Sequence, residues 1–238
     1  MARASTVATG SRREGTSARL HRLTGDVNPI LMSVAVVSGF LFVVLSVLVA
    51  MHPAPFFFDR PIEVAVQSVA VGPFEWFNAF VSAFSGFVGL GVGAAVIALT
   101  FLLRRPATPL VAFSAIYSAV YNVVNIIVQR PRPEGVAHTT SKLIGFSYPS
   151  GHVGFFVWLS VLAMVLLARG LPRPMYVACW FFAVVLVVAS ALSRIYVGAH
   201  WPSDVLGGLL IGVAWTALSL SLGRLTRPVF AEAQTSRK

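Results

Sequence analysis

The sequence contains a single cysteine, Cys179, so it has no disulfide framework and no redox pair. Charge is scarce too: Asp, Glu, Lys and Arg make up 11% of the 238 residues, and only 8 acidic residues stand against 18 basic ones. A soluble domain of this length cannot cover its surface with so few polar groups. Period-two alternation is missing from the apolar stretches, which excludes a transmembrane barrel. No internal repeat is present. The net charge of +10 comes without an aromatic-interleaved basic patch, so it does not indicate nucleic acid as a partner.

What is abundant is apolar: 57% of residues are hydrophobic and the mean hydropathy is +0.81. A bilayer core about 30 Å thick is crossed by roughly 20 apolar helical residues. Six runs of about that length occur, at 30–51, 77–103, 110–128, 152–168, 175–192 and 205–222. The expected fold is all-α, an integral membrane bundle of six transmembrane helices. Between the first two runs, Ile62, Val66 and Val69 recur at helical spacing with Glu63 and Gln67 opposite. This predicts either a short interfacial helix in the headgroup layer or an ordered loop packed on the bundle.

Basic residues orient such a bundle, because cytoplasmic loops retain Lys and Arg. One side carries only Arg60, Arg130, Arg132, Lys142 and Arg194, and the other carries the remaining Lys and Arg residues. Both termini are therefore expected in the cytoplasm. Residues 1–25 are read as a disordered basic cytoplasmic tail rather than a transit peptide, 26–224 as the membrane domain, and 225–238 as a second tail.

Three polar clusters interrupt the apolar runs, and span parity places all of them on the outer face. After the third run come Asn125 and then Arg130-Pro131-Arg132-Pro133, where each proline forces its predecessor into extended geometry. Guanidinium groups on so stiff a segment can hold a phosphate bidentately, or simply anchor lipid headgroups. Before the fourth run stands Pro149-Ser150-Gly151-His152. Ser150 is a candidate N-cap, Gly151 lets a ligand approach the backbone, and the exposed amides make an anion site beside His152. The third cluster joins Ser193-Arg194 to His200-Trp201-Pro202-Ser203-Asp204. Spacing of four brings Asp204 and His200 to one face, so the carboxylate can accept a hydrogen bond from one ring nitrogen and leave the other as nucleophile or base. The rival readings are a helix-start acid beside an inactive histidine, and a metal site, for which this ligand set is thin.

The stretches 129–133, 147–152 and 192–204 are similar, nearly residue by residue, to the three-part signature of the type 2 phosphatidic acid phosphatase superfamily of membrane lipid phosphatases. That resemblance implies a metal-free, cofactor-free phosphatase of the plasma membrane acting from the outer side. Its substrate would be a lipid phosphomonoester or diphosphate, such as phosphatidic acid, phosphatidylglycerol phosphate or a polyprenyl diphosphate. It further implies that His200 attacks phosphorus with help from Asp204 and that His152 protonates the leaving oxygen. Arg132, Arg194, Ser150 and Gly151 would hold the phosphoryl oxygens. Where the family signature opens with lysine, this chain has Asn125, a position one cation poorer. Arg130 is expected to compensate; otherwise the protein is slow, selective for a less charged monoester, or a non-catalytic lipid-phosphate binder or transporter. A phosphotransferase on the same scaffold is the other alternative.

Overall fold

The computed structural model describes residues 26–69, 72–84, 86–134 and 145–235, whose regular elements are all helices with no strand. The expected tail at 1–25 lies outside the described residues. The first helix, α1 (Pro29–Met51), starts at a true cap: Asn28 Oδ1 accepts from the amides of Ile30 and Leu31 at 3.1 Å each, and proline occupies its first turn. At 23 residues it is about 34 Å long, enough to span the apolar core of a bilayer.

After α1 the chain forms the short helix α2 (Asp59–Gln67), which packs on α8 (Arg173–Tyr196) and α9 (Pro202–Ser221). A helix was one of the two expected forms, and its burial pattern is unusual. Asp59 and Glu63 are buried, whereas Ile62, Val64 and Val69 are exposed. Its polar face turns into the protein because a buried cation waits there, as described below.

The second apolar run is not one straight helix. It is α3 (Gly72–Ala83) followed by α4 (Gly86–Leu103), bent by 67°. The third run is α5 (Thr108–Ala115) and α6 (Tyr117–Val128), which together with the 3₁₀ turn Arg105–Ala107 make a 24-residue span. The fourth run, α7 (Gly151–Leu166), has 16 residues and reaches about 24 Å, short of the full core thickness. Four helical segments are long and apolar enough to cross a bilayer, or five if the bent pair counts as one.

At the centre of the bundle is α9, which packs most extensively on α1 and α7. Some 56% of its apolar window is buried, against 11–17% for the other three spanning segments, whose flanks form the apolar outer surface. Close packing depends on small residues: a Cβ on Gly212 would stand 3.1 Å from the Gly154 Cα of α7, and one on Gly154 would stand 3.3 Å from the Gly208 carbonyl oxygen. The C-terminal segment continues as α10 (Gly223–Thr235), whose Val229 packs with Ala107 and Leu110.

Candidate active site

The three polar clusters meet at the end of the bundle where α6 and α8 finish and α7 and α9 begin. Two backbone reversals deliver them. Gln129 adopts a left-handed conformation (φ 50°) and ends α6, sending 130–133 out as extended chain. Gly198 (φ 62°) turns the chain after α8, so the amides of Ala199 and His200 both donate to the Arg194 carbonyl, at 3.0 and 3.2 Å.

Arg130 is the structural centre, which departs from its expected role as a phosphate ligand. It is fully buried, and its donors are all directed at protein acceptors. Nε donates to Pro53 O (3.1 Å), Nη1 to Ser203 Oγ (2.7 Å) and Asp204 Oδ1 (2.6 Å), and Nη2 to Ala54 O (3.1 Å) and Asp59 Oδ2 (3.0 Å). A guanidinium has five N–H groups, so none is left for a ligand. Asp59 also accepts from the Ser203 amide (2.9 Å) and hydroxyl (2.7 Å), joining α2 to the start of α9.

His200 is oriented by a group other than the one the spacing suggested. Its Nδ1 lies 2.6 Å from the carbonyl oxygen of Ser147, and Asp204 Oδ2 is 3.9 Å away. Asp204 instead pairs with Arg130 and accepts from the Trp201 amide at 2.8 Å, capping its own helix. Ser147 is itself held, its amide donating to Arg130 O at 2.9 Å and its hydroxyl to Pro131 O at 3.0 Å. Burial holds the His200 pKa well below the ordinary histidine value, and the nearby Arg132, His152 and Arg194 push in the same direction. Arg132, His152 and Arg194 thus all lie near enough to His200 to bear on its charge.

The remaining expected residues divide into two kinds. Ser150 Oγ, His152 Nε2 and Arg194 Nε are buried without hydrogen-bond partners, three orphaned polar atoms that a phosphoryl group could satisfy. Ser150 stands at the cap position of α7, yet its hydroxyl makes no cap bond. Arg194 is held through Nη2 by Asn78 O (3.3 Å), Ser82 Oγ (2.9 Å) and Ser193 Oγ (2.8 Å). Arg132 donates to Gly145 O (3.1 Å) and Ala199 O (2.6 Å), and burial lowers its pKa. Asn125 serves the scaffold: its Nδ2 donates to Phe146 O (3.2 Å) and Tyr148 O (2.8 Å), clamping the loop before α7. On the side where a Cβ would stand, Gly151 is packed against the ring of Tyr121.

Asp59, Ser147, Tyr121, Asn78 and Ser82 were not singled out from sequence. Only Asp59 offered a signal, as one of eight acids in the chain; Ser147 acts through a backbone carbonyl, which no residue type reveals. Beside His152 opens a cavity of about 500 Å³ walled by α4, α5, α6 and α7, with Leu90, Ile97, Ile116, Phe155 and Trp158 in its lining. Among the described residues no three His, Cys, Asp or Glu side chains converge as a metal-holding group.

Undecaprenyl-diphosphatase of Sulfolobus acidocaldarius is 31% identical over 123 residues, covering 50% of this chain and 56% of that one. Decaprenylphosphoryl-5-phosphoribose phosphatase of Mycobacterium tuberculosis is 36% identical over 110 residues (44% and 54%), and phosphatidylglycerophosphatase B of Escherichia coli is 32% identical over 109 (44% and 41%). The chain thus spans about half the length of the curated relatives it matches. The fold is similar to that of the transmembrane PAP2 type phosphatidylglycerolphosphate phosphatase from Bacillus subtilis, with a TM-score of 0.61 at 21% identity, over 78% of this chain and 94% of that one. The PAP2 superfamily model matches residues 106–227, a stretch that holds all three polar clusters, and the chain belongs to that superfamily.

Proposed function

We propose that this protein is a membrane lipid phosphatase that releases phosphate through a phosphohistidine on His200, without a metal. The observation that carries the reading is the Nδ1 contact of His200 with the Ser147 carbonyl. A carbonyl only accepts, so Nδ1 holds the ring proton and the Nε2 lone pair is available in the neutral ring. Nε2 attacks phosphorus as the P–O bond to the lipid breaks, and His152 gives its proton to the departing oxygen. Water then attacks the phosphohistidine, giving its proton back to His152, as the N–P bond breaks and inorganic phosphate leaves. Arg132, Arg194, Ser150 and the amides at the start of α7 face the charge that spreads over the phosphoryl oxygens. Asp204 acts at one remove, holding Arg130 and the first turn of α9.

The largely apolar cavity, which Gly151 and His152 border, supports a lipid substrate, since it offers room for acyl or isoprenyl chains. Relatives named for undecaprenyl diphosphate, decaprenylphosphoryl-5-phosphoribose and phosphatidylglycerol phosphate support the same class. In this reading residues 26–224 make six crossings, with α7 as a short one. The termini are cytoplasmic, α2 rests in the headgroup layer, and the site faces outward from the plasma membrane.

The test is phosphate release from a lipid panel by detergent-purified protein in the presence of chelator, wild type against His200→Ala. Retained activity in the variant, or its abolition by chelator, overturns the mechanism.

A further inference from the structure

Arg130 and Arg194 are both buried, and the fold treats their charges in opposite ways. Arg130 carries two carboxylates, Asp59 and Asp204. Arg194 has no carboxylate partner among the described residues: its hydrogen bonds all leave from Nη2 and end on neutral oxygens, Asn78 O at 3.3 Å, Ser82 Oγ at 2.9 Å and Ser193 Oγ at 2.8 Å. Its Nε is buried without a partner among the described residues. A buried charge is costly unless an opposite charge meets it. Neutral acceptors fix the direction of a guanidinium and leave its charge for a ligand anion.

Two of those three oxygens come from α3. Asn78 and Ser82 stand four residues apart in this mostly apolar helix, so they share a face. A polar side chain in an apolar run of span length is retained for a partner. Asn78 meets Arg194 through its backbone carbonyl, so the side chain of α3 that bears on the guanidinium is Ser82. The bend in the second apolar run divides its contacts: α3 packs on α8, which carries Arg194, whereas α4 packs on α5 and walls the cavity. Ser82 lies outside residues 106–227, the stretch that the superfamily model matches.

We propose that Ser82 is a positioning residue for phosphoryl transfer. Its hydroxyl accepts from Arg194 Nη2 and holds the guanidinium so that Nε faces the phosphoryl oxygens; being neutral, it leaves the whole positive charge to them. The inference rests on the phosphatase reading, which puts Arg194 at the phosphoryl group, and adds to the site a contribution from α3, outside the three polar clusters.

The experiment measures calorimetric binding of inorganic phosphate, kcat/KM on phosphatidic acid and the thermal midpoint, all on the full-length protein in detergent. A hydrogen bond to a charged group is worth enough that Ser82→Ala should weaken phosphate binding and lower kcat/KM by about tenfold each. Ser82→Thr keeps the hydroxyl and should recover most of that loss, at a midpoint matching that of Ser82→Ala. Because Ser82 acts through Arg194, the double variant Ser82→Ala/Arg194→Gln should bind phosphate no more weakly than Arg194→Gln alone. Ser82→Asp, which offers Arg194 a carboxylate, should bind phosphate more weakly than Ser82→Asn, which has the same shape without the charge. The proposal is overturned by a wild type that binds no inorganic phosphate, by a Ser82→Ala that binds it as wild type does, by losses that add in the double variant, by a Ser82→Thr that recovers nothing, or by a Ser82→Asp that equals Ser82→Asn. If phosphate binding follows the expected pattern while no lipid phosphate is hydrolysed, the positioning of Arg194 stands and the phosphatase reading falls.

Discussion

His200 Nδ1 stands 2.6 Å from the carbonyl oxygen of Ser147, and the carboxylate of Asp204, four residues along the chain, stands 3.9 Å away. The proton of the imidazole is thus held by a backbone group of the second cluster, which Arg130 and Pro131 of the first cluster hold in turn. One hydrogen-bonded relay runs through all three clusters and ends on His200.

That relay sits in a buried, cationic surrounding, and the direction of the His200 shift sets a pH dependence. Its folded pKa lies well below the unfolded value of about 6.5, so the ring stays neutral as pH falls through the range where a free histidine protonates. The acid limb of kcat/KM is expected below pH 6.5. The unfolded chain binds that proton more readily, so stability should also decline as pH falls from about 6.5 toward the folded value. A pH profile whose acid limb sits at or above 6.5 would contradict this placement.

Asp59 is expected to matter although it precedes the first cluster by about seventy residues. Asp59→Asn removes one of the two carboxylates that neutralise Arg130 inside the protein. Removing one partner from a buried pair costs about 3 kcal/mol. Thermal unfolding in detergent should show a lowered midpoint, with phosphate release reduced in parallel. Arg130→Lys should be no milder, because an ammonium cannot reach Pro53, Ala54, Asp59, Ser203 and Asp204 together. A wild-type midpoint for Asp59→Asn would remove it from the scaffold.

Gly208 tests the seam between α9 and α7. A Cβ there would overlap the carbonyl of Ser150, a backbone atom with little room to yield. Gly208→Ala should cost about 1–3 kcal/mol and displace Ser150 from the site. Gly91→Ala, on open ground with nothing within 4 Å, is the control and should be neutral or slightly stabilising. Equal behaviour of the two variants would mean the seam is looser than described.

The cavity beside His152 can be filled from α4. Gly93 lines it, and a Cβ there meets nothing within 4 Å. Gly93→Leu is expected to lower kcat/KM for a long-chain lipid phosphate about tenfold while leaving a short-chain, water-soluble phosphate ester within twofold. Loss on both substrates alike would argue that the cavity holds no lipid chain.

The sequence by itself determined the helical membrane class, the approximate helix runs and the three clusters that converge. These features are recorded locally: apolar runs of span length need no knowledge of their neighbours, and Pro133, Ser150 and Pro202 mark helix ends wherever the helices go. It did not determine the partners within the site. Arg130 read as a ligand for phosphate, but the fold brings it the carbonyls of Pro53 and Ala54 and the carboxylates of Asp59 and Asp204. Spacing offered Asp204 as the orienting group of His200, while the fold supplied the Ser147 carbonyl, which no side-chain pattern encodes. Helical spacing separated the polar from the apolar side of α2 without saying which is buried; Asp59 and Glu63 are buried, and the charge that Asp59 neutralises is contributed from the far end of α6. Helix class follows from periodicity along the chain. The ownership of each hydrogen bond is decided only in space, because a buried donor takes the nearest acceptor whatever its distance in sequence.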